Sequence, residues 1–189
     1  MPGRIEDYAM VGDLQTAALV GSDGSVDWLC FPRFDSPACF AALLGSDSNG
    51  RWRLAPHEER GGEILSRFTL SEGERVPFVL TWSPSYGERP VAIDGLQAVD
   101  DTERFWLDWA GSIGYDGRFQ DAVYRSLLTL KGLTYEPGGI VAAATTSLPE
   151  TLGGSRNWDY RYCWLRDSIF TLGALIGAGL HEEARAWQQ

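Results

Sequence analysis

Ser155-Arg-Asn-Trp-Asp-Tyr-Arg-Tyr-Cys-Trp-Leu-Arg-Asp167 runs directly into Ser168-Ile-Phe-Thr-Leu-Gly-Ala-Leu-Ile176. In the second half, Leu165, Ile169, Leu172 and Ile176 recur at steps of three and four, which predicts a helix. Phe170, Ala174 and Leu175 fill the positions between them, so the helix is apolar on every side. Such a helix belongs in the interior of a larger assembly. Its first turn carries Arg166 and Asp167, whose side chains leave the helix about 100° apart. That divergence predicts that the two do not neutralise each other and that each takes a partner from elsewhere, because an unpaired charge at the edge of an apolar core is costly.

A polyol such as a sugar satisfies both requirements. Arginine presents a planar fork of donors, and aspartate presents two acceptor oxygens to adjacent hydroxyls. Trp158, Tyr160, Tyr162 and Trp164 stand beside the pair and offer ring faces on which a pyranose can stack. The same residues equally fit a core corner closed by a buried ion pair, and chemistry alone leaves both open.

Asn157-Trp-Asp-Tyr-Arg-Tyr-Cys-Trp-Leu-Arg-Asp167 resembles the signature of glycoside hydrolase family 15, the glucoamylases and their bacterial trehalase-like relatives. Gly139-Ile-Val-Ala-Ala-Ala-Thr-Thr-Ser-Leu-Pro-Glu150 resembles the same family, as does the chain from Arg4 through Phe40. The resemblance implies that the signature lines the subsite for a terminal, non-reducing glucose. Residue by residue, Tyr160, Trp164, Arg166 and Asp167 fall on the family's substrate-contacting Tyr, Trp and Arg-Asp pair. It further implies an inverting hydrolase of terminal α-glucosidic bonds, trehalase-like or glucoamylase-like, acting on a small or oligomeric α-glucoside without a cofactor. A non-catalytic sugar-binding or interaction protein is the alternative.

The composition suits either. With 189 residues, 44% hydrophobic and 22% charged, the chain has room for one domain or two small ones. A formal net charge of −10 argues against nucleic acid and anionic membrane surfaces as partners. Three cysteines (Cys30, Cys39 and Cys163) imply no disulfide framework, and His57 and His181 stand apart, so no metal site is expected. The first residues lack the apolar run of a signal peptide, and no stretch is long enough to span a bilayer. A cytoplasmic location with reduced thiols is the expectation.

Along the chain, an α+β organisation with two units is predicted: an antiparallel, sandwich-like β domain over residues 1–97, then helices over 98–189. Thr16-Ala-Ala-Leu-Val20 and Val26-Asp-Trp-Leu-Cys-Phe31 flank Asp23-Gly24, a strong hairpin-turn signal. Ile64-Leu-Ser-Arg-Phe-Thr-Leu70 and Val76-Pro-Phe-Val-Leu-Thr-Trp82 predict a second hairpin. Asp27 to Asp35 resembles the start of the family's trehalase-like N-terminal domain; Trp28, Arg33 and Asp35 fit a strand end with an Arg–Asp pair better than a ligand site. From about Gln97 the period turns helical. Phe105, Trp106, Trp109 and Ile113 mark one helix with Asp100, Asp101 and Glu103 in its first turn, and Phe119, Val123, Leu127, Leu130 and Leu133 mark a second.

Against the family pattern the chain looks shortened. Only His57-Glu-Glu-Arg-Gly-Gly-Glu63 joins parts that the family separates by further strands. The family's catalytic (α/α)6 barrel has twelve helices, which at about 12 residues per helix and about 6 per connection need on the order of 216 residues. Only the first helices of such a barrel fit into residues 98–189. The family's two catalytic glutamates, set about 6.5–9.5 Å apart across a water, lie downstream of the Arg-Asp motif, and neither has a counterpart here. Glu136 and Glu150 gain no such role. The isolated chain is accordingly expected to be inactive. With its apolar helix unpartnered, it is also expected to self-associate as a homo-oligomer or aggregate.

Overall fold

The computed structural model describes residues 3–54, 68–136, 138–147, 150–151 and 153–187. An antiparallel sheet comes first and helices follow. The strands are β1 (Tyr8–Gly12), β2 (Ala17–Gly21), β3 (Ser25–Cys30), β4 (Ala38–Phe40) and β5 (Trp52–Arg53). β3 is central. It pairs with β2 along one side, and on the other with β4 at Leu29 and Cys30 and with β5 at Ser25 and Val26.

The predicted β2–β3 hairpin forms for the stated reason. Gly24 adopts φ +80°, and a Cβ there would lie 2.0 Å from the Leu54 carbonyl oxygen, so only glycine fits beneath the strand that follows. Asp23 closes the turn by accepting from the Ser25 amide at 3.1 Å and hydroxyl at 2.6 Å. β1 was not foreseen, because Tyr8-Ala-Met-Val-Gly12 is short and sits at the sheet edge.

β3 carries an almost wholly buried run that includes a charge, Asp27, which is 2% exposed. Arg51 donates to its carboxylate from Nε at 2.9 Å and from Nη2 at 3.0 Å, and the Tyr8 hydroxyl donates at 2.6 Å. Desolvation of the hydroxyl, with its bond to Asp27, pushes the Tyr8 pKa up.

Among the described residues the second expected hairpin does not form. Residues 64–67 lie outside the described region. Residues 68–70 and 76–82 form no strand, although a turn closes from the Ser71 carbonyl to the Glu74 amide at 3.0 Å. Val76, Phe78, Val79, Leu80 and Trp82 remain 40–50% exposed. A two-stranded ribbon is marginal without a further layer to cover its apolar face, and among the described residues a single sheet is present.

The helices are α1 (Gly95–Gly111), α2 (Gln120–Gly132), α3 (Leu165–Gly177) and α4 (His181–Ala186). α1 begins earlier than its periodicity suggests: Asp94 is the cap and accepts from the Leu96 and Gln97 amides at 3.0 and 3.1 Å. Asp100, Asp101 and Glu103 therefore fall beyond the first turn. Ile113, expected on the helix, lies after its end but is buried with Leu127, Leu175, Ala178 and Leu180. Lys131 of α2 and Trp109 of α1 both donate to Glu183 of α4 at 2.7 Å, which ties these helices together.

α3 forms as predicted but turns inward a face about 100° round the helix from the predicted stripe, with Leu172 half-buried between the two. Ser168, Thr171 and Leu175 are buried, whereas Leu165, Ile169, Phe170 and Ile176 are 48–72% exposed. The helix has apolar surface on every side and meets neighbours on only one. There, Leu175 joins the α2 core, and the Ser168 hydroxyl lies against Cys163 Sγ at 3.3 Å and the Ile140 carbonyl at 3.4 Å.

A second cluster, Ala17, Phe34, Val141 and Ala144, joins the sheet to the segment that follows α2. Trp28, 1% exposed, donates its indole N–H to the Ala144 carbonyl at 2.8 Å, so it is a core bracket and not a ligand contact. Arg33 and Asp35 form the expected exposed pair, with both bonds at 3.0 Å.

Candidate functional site

The signature is not a free loop. Residues 158–163 run antiparallel to residues 141–147. The Ala142 amide donates to Tyr162 O at 3.1 Å, Ala143 N to Tyr160 O at 2.8 Å, and Ser147 N to Trp158 O at 3.0 Å, with a bridge between Val141 and Cys163. The pairing is irregular, with a turn at Tyr160 and Arg161 and a bend at Tyr162. Three of the four rings gather: Trp164 meets Tyr160 edge-on at 5.3 Å and Trp158 edge-on at 6.3 Å between centroids. Trp158 is further held by its indole N–H to Glu150 at 3.2 Å. Tyr162 does not join them. It lines a separate cavity of about 160 Å³ beside Arg33, Phe34 and Tyr135.

Trp164 caps α3, accepting the Ser168 amide at 2.9 Å, and Arg166 and Asp167 follow in the first turn as expected. They do, however, touch each other: Arg166 Nη2 lies 3.3 Å from Asp167 Oδ2. The 100° divergence of adjacent helical residues holds at Cβ, but the long arginine stem swings across it. Their side chains are 68% and 34% exposed, and an ion pair this accessible contributes little. It leaves both groups open to solvent.

Two residues of the stretch that carried no expectation hold it in place. Asp159 and Arg161 flank Tyr160 where the chain turns. Arg161 donates from Nε at 3.0 Å and Nη2 at 2.7 Å to the Asp159 carboxylate, which also accepts the Arg161 amide at 3.0 Å. From Nη1, Arg161 reaches the Ser36 carbonyl at 2.8 Å and Cys30 Sγ at 3.2 Å. The guanidinium holds the Asp159 carboxyl below the usual carboxylate range, and the Arg161 pKa is raised chiefly by the same bond. Burial pushes the Cys30 thiol up, with Arg161 opposing in part. The signal was available in the spacing, since an aspartate can close an Asx turn by accepting the amide two residues on, which brings an arginine there beside its carboxylate.

Cys30, Cys39 and Cys163 are free thiols. Among the described residues no group of His, Cys, Asp and Glu is placed to hold a metal ion, and no helix is long and apolar enough to cross a membrane.

These features have counterparts in known proteins. Residues 117–189 match the model of glycosyl hydrolases family 15, and residues 1–74 match the trehalase-like N-terminal model. Those two parts belong with the family 15 glycosyl hydrolases and with the trehalase-like N-terminal domains, respectively. Trehalase 2 of Sulfolobus acidocaldarius is 53% identical to it over a match covering 95% of this chain and 47% of the relative. The trehalase of Thermoplasma volcanium is 25% identical, covering 96% and 46%. That of Mycolicibacterium smegmatis is 45% identical over 127 residues, 66% of this chain and 19% of the relative. The chain therefore spans less than half the length of these curated relatives. The first two matches extend over 274 and 285 positions, more than this chain's 189 residues, so those relatives hold stretches with no counterpart here. No solved structure is a significant match.

Proposed function

We propose that the chain supplies the glucose-binding wall of an α-glucoside hydrolase, and that its substrate is trehalose in preference to starch-like glucans. The observation that carries this is the signature segment. It brings Tyr160 and Trp164 into contact, immediately before a helix that opens with solvent-accessible Arg166 and Asp167. Tyr160, Trp164, Arg166 and Asp167 bind the terminal glucose, the rings by stacking and the charged pair by directed bonds to adjacent hydroxyls. The names of the relatives support trehalose as the substrate. Residues 1–97 belong to a sandwich-like β domain and residues 98–189 to the first helices of an (α/α)6 barrel.

Hydrolysis with inversion needs an acid to protonate the leaving oxygen and a base to activate water on the opposite face. No carboxylate in this chain takes either role, so the purified chain binds a glucoside without cleaving it. Calorimetric titration with trehalose and with maltose, alongside a glucose-release assay, tests both halves. Arg166→Lys keeps the charge but loses the planar fork, and Asp167→Asn turns one acceptor into a donor. Each removes one or two charge-assisted bonds of about 1.5–3 kcal/mol, so binding weakens by about tenfold or more at unchanged melting temperature. Unaltered binding with a lowered melting temperature would mean that the pair only closes a corner of the fold. Glucose release abolished by mutating one of the chain's own carboxylates would overturn the catalytic half.

A further inference from the structure

We infer that Arg161 is a positioning residue through which the β sheet sets the orientation of the Trp164–Tyr160 ring pair. Its side chain is 15% exposed, and Nε, Nη1 and Nη2 are all engaged. One side of the guanidinium grips the β unit, at the Ser36 carbonyl between β3 and β4 and at Cys30 Sγ on β3. The other side holds the Asp159 carboxylate through two parallel bonds. Asp159 in turn fixes the ring pair, because its backbone carbonyl accepts the Trp164 indole N–H at 3.0 Å, and Tyr160 packs edge-on against that ring. The path from sheet to ring is thus a run of directed bonds, with no apolar contact free to slide.

The geometry also explains why arginine is needed. Asp159 and Ser36 lie on different sides of the guanidinium and are satisfied together only by a planar fork. A lysine ammonium at the same place reaches one anchor and releases the other. With the tie broken, the sheet and the signature remain joined through Ala17, Phe34, Val141 and Ala144 and through Trp28. Loss of the clamp should therefore re-aim Trp164 without separating the two layers.

As a statement about sugar binding the inference rests on the proposed glucoside site; as a statement about Trp164 it does not. Arg161→Lys is prepared in the full 189-residue chain, with Asp159→Asn as a milder second variant that keeps one acceptor and serves if the first does not fold. Both are labelled with 5-fluorotryptophan, the Trp164 resonance being assigned by its absence in Trp164→Phe. Titration uses trehalose and maltose. The expected result is a shifted or broadened Trp164 resonance, with the Trp28 resonance unmoved and affinity for the bound glucoside lowered about tenfold to a hundredfold, the scale of a small misplacement in a site. The double variant should be no worse than Arg161→Lys alone, as for residues acting through one contact. A Trp164 resonance unchanged in both variants overturns the inference, whatever the sugars do. A shifted resonance with undiminished glucoside binding overturns its bearing on the site. If the parent chain binds neither sugar, the proposed function fails and the resonance alone decides the positioning role.

Discussion

Removing the Asp27 carboxylate should unfold the β unit before it disturbs anything else. The group is buried, and three bonds converge on it from two other parts of the sheet: two from Arg51, beside β5, and one from Tyr8 on β1. Breaking a buried ion pair by deleting one partner costs about 3–5 kcal/mol, because the other charge is left without compensation. Arg51 would not be wholly abandoned in Asp27→Ala. It is 19% exposed and keeps Asp47 at 3.1 Å and Asp23 at 3.8 Å, which places the loss at the lower end, about 3 kcal/mol. For a chain of this length each kcal/mol moves the melting temperature by about 2–4 °C, so a fall of about 6–12 °C is expected.

Two further variants make the ordering diagnostic. Arg51→Ala strands a carboxylate whose side chain is 3% exposed and retains only the Tyr8 hydroxyl, so it should cost more than Asp27→Ala. Tyr8→Phe removes one hydrogen bond and should cost about 1–3 kcal/mol. Thermal unfolding followed by circular dichroism, at fixed protein concentration, measures all three. A change under about 2 °C for Asp27→Ala, or Arg51→Ala falling less than Asp27→Ala, would refute the account of this network.

Three other outcomes are expected. Titration with a thiol reagent near neutral pH should modify Cys39 and Cys163 rapidly and Cys30 only after denaturation, because Cys30 is 1% exposed and its thiol is pushed up by burial; three equal rates would contradict the packing of β3. The Asp159 carboxyl is held below its ordinary pKa of 3.8, so its contribution is present above that pH and is lost as pH falls through its lower folded value. The melting temperature of the parent should accordingly fall more steeply with acid than that of Asp159→Asn, and parallel curves would show that the clamp carries no such linkage. Ile169→Glu and Phe170→Asp on α3 alter side chains that are 62% and 71% exposed; sedimentation should show less self-association with little loss of stability, whereas a large drop in melting temperature would place those residues in a core.

What the sequence disclosed and what it withheld divide along a physical line. The β2–β3 hairpin and the extents of α2 and α3 depend on neighbours close in the chain, and each was legible as a turn signal or a period. The Asp159–Arg161 clamp was half legible: the two residues stand at i and i+2 of an Asx turn, but their anchors are Ser36 and Cys30, more than a hundred residues away. The Arg166–Asp167 contact was misjudged because the direction of a Cβ does not bound the reach of an arginine. Trp28 reads as part of a strand end, as it is, but its role as a bracket was not legible, since its indole partner, the Ala144 carbonyl, is a backbone atom that no side-chain pattern encodes.

The face that α3 turns inward follows from supply, not from preference. Its period singles out Leu165, Ile169, Leu172 and Ile176, and in a chain offering apolar surface on all sides those residues would be covered first. Here the available partners are the α2 core and the strand-like segment before the signature, and both lie on the side of Ser168, Thr171 and Leu175. Ser168 can enter that side because its hydroxyl meets the Ile140 carbonyl and Cys163 Sγ; a leucine there would bury bulk against a backbone acceptor. Burial of the small polar face and exposure of the large apolar one is therefore the arrangement expected of a helix written for more neighbours than these residues provide. It agrees with a chain that spans less than half the length of the relatives it matches. The Val76-to-Trp82 segment is in a similar position: Phe78 meets Trp52 and Phe68, yet the segment's apolar side chains stay 40–50% exposed among the described residues.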